Sequence, residues 1–206
     1  MQQEQDQRIL SAADDLFNRY GIKSVTMDDI SKSLGMSKKT IYQHFQDKNE
    51  LVLTLVQRTI EDHQTKFNEA TKSARNAVEE IVRMMQFTSD TFSRANPNKF
   101  YDLQKYHPAG WQLFRQYKEE IVMNQVIANL EKGRKQGLYR MDFSIKILAR
   151  LRLEEIEMAM HPQYYTDDRL SMHEVQVQLL DHYLHGICTL KGHKLLNKYK
   201  QLTEEE

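Results

Sequence analysis

The chain has 206 residues, 40% of them apolar and 28% charged, and its 29 basic side chains balance 29 acidic ones. Such a length buries a sizeable core in one large domain or two small ones, and no run approaches the ~18 apolar residues that a membrane span needs. The one cysteine, Cys188, excludes a disulfide framework or a cysteine zinc site within a single chain and points to a reducing cytoplasm.

The polar, glutamine-rich residues 1–7 read as neither a signal peptide nor a lipidation signal, and they are expected to fray together with 204–206. A first helix is predicted over residues 6–20, with Ile9, Ala13, Leu16, Phe17 and Tyr20 on one face and Gly21 at its end. Thr26 then caps a second helix whose first turn carries Asp28 and Asp29, which suit the helix dipole, and Gly35 stops it. Ser37 caps a third, short helix over 38–45 with Ile41 and Phe45 inward. A fourth begins near Asp47 or Lys48 and runs through Leu51 and Leu55 toward Phe67. Further helices are expected at 74–94, 99–106, 109–136, 144–160, 171–190 and 193–201. Pro97, Pro108 and Pro162 fall between these segments. No stretch keeps a period of two, so the expected fold is all-α. Short turns between long helices imply a bundle of antiparallel neighbours.

Residues 26–45 have the form of a helix-turn-helix, whose second helix enters a major groove. Ile30, Leu34, Ile41 and Phe45 would pack the pair and leave Ser37, Lys38, Lys39, Thr40 and His44 outward as donors to phosphates and guanine edges. The neutral charge balance argues weakly against a nucleic-acid partner. Its distribution argues the other way: from Ser31 to Gln46 there is no acid, while Lys32, Lys38, Lys39 and His44 lie inside that stretch and Lys48 follows. Lysines at the start of a helix oppose its dipole, which suggests an external phosphate partner for Lys38, Lys39 and Lys48. The duller readings are a solvated helix start for those lysines, a half-buried packing seam for Tyr42 and a plain surface position for His44.

The run from Gly21 to Leu51, with Val25-Thr26-Met27-Asp28-Asp29-Ile30, Leu34-Gly35-Met36-Ser37, Thr40-Ile41-Tyr42-Gln43-His44-Phe45 and Lys48-Asn49-Glu50-Leu51, closely resembles the DNA-binding domain of the TetR family of bacterial regulators. The resemblance implies an N-terminal three-helix DNA-binding domain over residues 1–47 and an all-helical ligand-binding and dimerisation domain over 48–206. It implies a homodimer on a near-palindromic double-stranded operator, acting as a repressor that a small molecule releases. Carried over by position, Thr26, Ser37, Tyr42 and Lys48 would touch phosphates, and Lys38, Lys39, Thr40 and His44 would lie nearest the bases.

Beyond residue 48 the signal thins. Met84, Met85, Phe87 and Phe92 form one aromatic and methionine-rich stretch; Phe100, Tyr101, Tyr106, Trp111, Phe114 and Tyr117 form another. Such linings suit an apolar ligand pocket as well as plain core. The pocket reading gathers Met84, Phe87, Phe100, Tyr101, Trp111 and Phe114, with Arg152 and Glu155 as polar groups. His182 and His185 stand three apart on one helix but lack a third ligand, so no metal is expected, and no cofactor motif is present. The helices at 144–160 and 171–190 carry the apolar surface expected of the dimer contact. Two other readings stand beside the regulator: an all-helical enzyme or small-molecule carrier with an accidental helix-turn-helix pattern, and a ligand-independent activator or chromosome-organising factor. No catalytic constellation supports an enzyme.

Overall fold

The computed structural model describes residues 2–93, 96, 98–161 and 170–204, with backbone alone at 87–93 and 201–204. Among these residues there is no strand, only an isolated antiparallel bridge between Tyr139 and Cys188. The helices are α1 (Gln2–Tyr20), α2 (Met27–Leu34), α3 (Lys38–His44), α4 (Lys48–Ser73), α5 (Ala77–Ser93), α6 (Asn98–Tyr106), α7 (Pro108–Gln116), α8 (Met123–Lys135), α9 (Ile145–Met158), α10 (Met172–Ile187) and α11 (Leu190–Glu204). None is long and apolar enough to cross a membrane.

The helix-turn-helix is delimited by residues of the expected type. The Thr26 hydroxyl accepts from the Asp29 amide at 3.2 Å, and the Asp29 carboxylate accepts from the Thr26 amide at 2.8 Å. That reciprocal pair satisfies two amides the helix leaves open. Gly35 ends α2 at φ +63°, a left-handed conformation that costs a side-chain-bearing residue more than glycine. Ser37 then accepts from the Thr40 amide at 3.1 Å and starts α3. Ile9, Phe17, Ile30, Ile41 and Leu51 are at most 1% exposed, each contributing about 1.5–3 kcal/mol to this core. It does not stop at residue 47: Leu51, Val52 and Leu55 of α4 and Leu103 of α6 belong to it, with Trp111 and Phe114 packed alongside.

A second core joins Val78 and Val82 of α5, Leu130 of α8, Ala149 of α9, Leu180, Leu184 and Ile187 of α10, and Leu196 of α11. A polar network runs through it. The Tyr139 hydroxyl donates to the Asn129 side-chain oxygen at 3.0 Å, Asn129 donates to Glu80 at 3.1 Å, and Lys132 closes the chain on Glu80 at 2.6 Å.

Several boundaries depart from expectation, among them those of α11, which runs Leu190–Glu204 instead of the expected 193–201. The helix α1 begins at Gln2 instead of near residue 6, and Gln5 and Asp6 have a reason to be ordered, since both hydrogen-bond the His44 ring. The helix expected over 109–136 is continuous but passes through a π-helical turn, Tyr117–Val122. In that turn the buried Lys118 ammonium pairs with Glu157 of α9. Finally, the expected 171–190 helix ends at Ile187, where the backbone turns to bond Thr189 to the Leu138 carbonyl at 2.8 Å.

Candidate nucleic-acid interface

The N-terminal turn of α3 presents Ser37, Lys38, Lys39 and Thr40 together, with no acidic residue in that turn. Lys39 is exposed and makes no hydrogen bond or ion pair with any described residue. Lys38 differs. Its ammonium lies 3.1 Å from Asp28 of α2, which also holds Lys32 at 3.0 Å. Bonds from Lys32 and then Lys38 keep the Asp28 carboxyl below the usual carboxylate range. Both pairs are solvent-exposed, so they are weak and exchangeable for a phosphate. Ser37 and Thr40 share a hydroxyl–hydroxyl hydrogen bond of 2.8 Å, which leaves lone pairs and a proton on that edge for an outside partner.

Tyr42 is 51% exposed, so it stands clear of the half-buried seam. His44 does not share that outward aspect. Its Nδ1 lies 2.5 Å from the Asp6 carboxylate and its Nε2 3.0 Å from the Gln5 side-chain oxygen. Both ring nitrogens are occupied by α1, which makes His44 a tie between α1 and α3 in this conformation and not a free base reader.

Lys48 is half-buried. Its ammonium donates to the Ile22 carbonyl at 2.5 Å and lies 5.9 Å from the centre of the Phe17 ring. Burial pulls its pKa below the usual lysine range, while the charges of Asp102 and Asp29 push it back up. A lysine at a helix start therefore has an internal answer to the opposing dipole, yet two of its three N–H donors remain for a phosphate. Thr26, by contrast, is exposed, and its side chain is already used in its cap. Sequence reasoning missed the partners Asp28, Gln5, Asp6 and the Ile22 carbonyl; each lies ten or more residues away in the chain, and no local signal announces it.

The residues read as a ligand pocket are only partly together. Trp111 and Phe114 stack at 5.6 Å, and Phe100 meets Phe114 at 5.9 Å. With Tyr101 they line a crevice of about 10 Å³, space for about one water. Met84 is not among its lining residues, and the Phe87 side chain lies outside the described residues. Arg152 is buried elsewhere, paired with Glu155 at 3.2 Å and facing the Tyr183 ring at 5.7 Å. A larger cavity, about 360 Å³, opens between α4, α5, the π turn and α8. Phe67, Thr71, Ile121 and Gln125 line it, together with the Glu80–Lys132 pair, and the buried Thr71 hydroxyl has no hydrogen-bond partner among the described residues.

Residues 9–55 match the family model of the bacterial regulatory proteins, tetR family. Over 184 residues the chain is 26% identical to the uncharacterized HTH-type transcriptional regulator YvaF of Bacillus subtilis, covering 88% of this chain and 95% of that protein. Among solved structures, a transcriptional regulator from Saccharomonospora viridis in complex with choline superposes with a TM-score of 0.75 at 22% identity, over 91% of this chain and 99% of that one. A TetR-family transcriptional regulator from Agrobacterium tumefaciens superposes at 0.73 and 19% identity, over 92% and 100%. At these identities the superpositions establish the fold.

Proposed function

Given that the chain belongs to the TetR family of bacterial regulatory proteins, we propose that it is a repressor that binds a near-palindromic operator as a homodimer and is released by a small molecule. The observation that carries the DNA-binding part is the acid-free, exposed first turn of α3 with its unpaired Lys39. Phosphates are met there by Ser37, Lys38 and Tyr42, with Thr26 and Lys48 on the flanks. Base edges are met by Lys39 and Thr40, and His44 holds α3 onto α1. Residues 1–47 serve as the reading head and 48–206 as the sensing and dimerisation domain, the first turns of α4 being packed into the head.

The dimer reading rests on α9 and α10. Ile147 and Leu151, one turn apart on α9, are 67% and 47% exposed, an apolar patch of the kind that marks an interface. On α10, Gly186 is exposed and has open space where a side chain would stand, which permits a close helix approach. The effector site proposed is the cavity of about 360 Å³, within the size of known ligand pockets, with the unpartnered Thr71 hydroxyl as a hydrogen-bonding group. The choline held by the Saccharomonospora viridis neighbour supports a small-molecule site in a chain of this fold.

The test is selection of duplexes from a random pool, followed by a salt titration. Two half-sites with centres about 34–36 Å apart, or a multiple of that, are expected, with affinity falling steeply as salt rises. A pool that stays unenriched refutes the DNA-binding reading.

A further inference from the structure

The turn between α1 and α2 carries the reading head, and its first peptide units pair with charged groups from outside the turn. The peptide joining Ile22 to Lys23 is held at both ends. Its carbonyl accepts from the Lys48 ammonium at 2.5 Å, and its N–H donates to a carboxylate oxygen of Asp102 at 2.8 Å. Lys48 belongs to α4, but Asp102 comes from α6, about eighty residues along the chain, and is only 6% exposed. The fit is close: a Cβ on Gly21, whose φ is +79°, would lie 3.0 Å from the same Asp102 oxygen. The turn therefore has a glycine where the carboxylate arrives.

Other groups of α6 and its flanks reach the same face. Lys99 donates to Asp14 at 2.6 Å and Asn18 at 2.8 Å on α1, Asn96 donates to the Arg19 carbonyl at 3.2 Å, and His107 meets Asn49 of α4 at 2.7 Å. Leu103, 5% exposed, belongs to the N-terminal core. The opposite side of α6 faces the crevice of Phe100, Trp111 and Phe114, which Glu157 at the end of α9 and Met160 and His161 just beyond it complete. Thus α6 lies between the head and the helix proposed for the dimer contact.

We infer that Asp102 is a positioning residue for DNA binding: its buried carboxylate, by accepting the Lys23 N–H, fixes the turn that orients α2 and α3. The inference rests on the DNA-binding reading, and it locates the residue through which the C-terminal domain sets the angle of the recognition helix. What matters is an acceptor at that point in space. Removing the buried carboxylate leaves the part-buried Lys23 N–H without its acceptor, which destabilises the arrangement that contains it, here the orientation competent for DNA, while no phosphate contact is removed.

The experiment compares Asp102→Ala, Asp102→Asn and Asp102→Glu in the full chain, using the duplex that the wild-type chain selects. Asp102→Ala should bind roughly tenfold more weakly or worse, with the slope of affinity against salt unchanged. Asp102→Asn keeps an oxygen at the same reach and should bind within about threefold of wild type. Asp102→Glu keeps the charge but carries it one methylene too far, against Gly21, and should be weak. Hydrogen exchange at the Lys23 amide, measured without DNA, should be protected in wild type and Asp102→Asn and fast in Asp102→Ala. The reverse order, with Asp102→Glu near wild type and Asp102→Asn weak, would show that charge and not position matters, and overturn the inference. So would an unprotected Lys23 amide in wild type. If Asp102→Ala does not fold, the Asn and Glu variants still decide. A wild-type chain that selects no duplex ends the DNA-binding reading, whereas the exchange measurement on the free chain judges the grip on the turn by itself.

Discussion

A carboxylate placed at the head of α3 should raise stability and lower DNA affinity at once. Ser37 caps α3 by accepting the Thr40 amide at 3.1 Å, and aspartate caps as well as serine does. The first turn of α3 has two lysines and no acid, so Ser37→Asp also answers the helix dipole, a gain of about 0.3–1 kcal/mol. For a chain of this size that is a rise in Tm of about 1–4 °C. Against DNA the sign reverses. A unit charge about 5 Å from a phosphate costs about 1 kcal/mol at the dielectric constant of water and about 3 kcal/mol at that of a protein surface. Affinity should fall roughly 5- to 150-fold per half-site, and salt should shrink the penalty. Ser37→Ala is the control: it loses the cap, about 1 kcal/mol, and should weaken both stability and binding. Thermal melts and fluorescence anisotropy on a labelled duplex, at two salt concentrations, read both quantities. If Ser37→Asp binds like wild type, the first turn of α3 does not face a phosphate.

Lys39→Ala should relax the base preference at one position by about 1–3 kcal/mol. Lys38→Ala, whose ammonium is shared with Asp28, should weaken all duplexes alike; equal selectivity profiles for the two variants would contradict this. Ile147→Glu should leave the helical content unchanged and convert the particle seen by light scattering to a 24.5 kDa monomer, and a persistent dimer would exclude α9 from the contact. Burial pushes the Cys188 thiol from its ordinary 9.0 up to about 11, so the unfolded chain ionises first. Stability that is complete below pH 9 should therefore fall between pH 9 and 11, by at most about 3 kcal/mol. Cys188→Ala should flatten that part of the urea-unfolding profile; an unchanged slope would assign the loss to other groups.

The helix-turn-helix was legible in the sequence because its determinants are local. Thr26, Gly35 and Ser37 each act within three or four residues of where they stand, through a cap or a left-handed turn. Periodicity likewise located Ile9, Phe17, Ile30, Ile41 and Leu51 in the core. The electrostatic partners were not legible, since pairing depends on where distant segments meet. Lys38 finds Asp28 across the helix-turn-helix, His44 finds Asp6 38 residues away, and Lys48 finds a carbonyl 26 residues away. A dipole argument assigned Lys38, Lys39 and Lys48 an external phosphate; it had no means of foreseeing that Lys38 and Lys48 meet Asp28 and the Ile22 carbonyl inside the protein while Lys39 meets no described residue.

The cavity shows a different limit. Aromatic and methionine side chains compose cores and pockets alike, so composition could not separate a crevice of about 10 Å³ at Trp111 and Phe114 from an open volume of about 360 Å³ near Phe67 and Thr71. What separates them is helix spacing. Trp111 and Phe114 close on the N-terminal core, where a Cβ on Gly110 of α7 would lie 3.0 Å from Leu103 of α6 and in ordinary contact, 3.5 Å, with Val56 of α4. Farther along α4, the chain that α7 continues passes through the π turn, and there Glu120 and Ile121 stand at the cavity while Tyr117 bonds His63 of α4 at 2.5 Å. One helix of 26 residues, about 39 Å long, thus has its first turns in the core of the reading head and its last at the cavity. A domain boundary at residue 48 marks where that helix is capped; the packing on either side of it is shared.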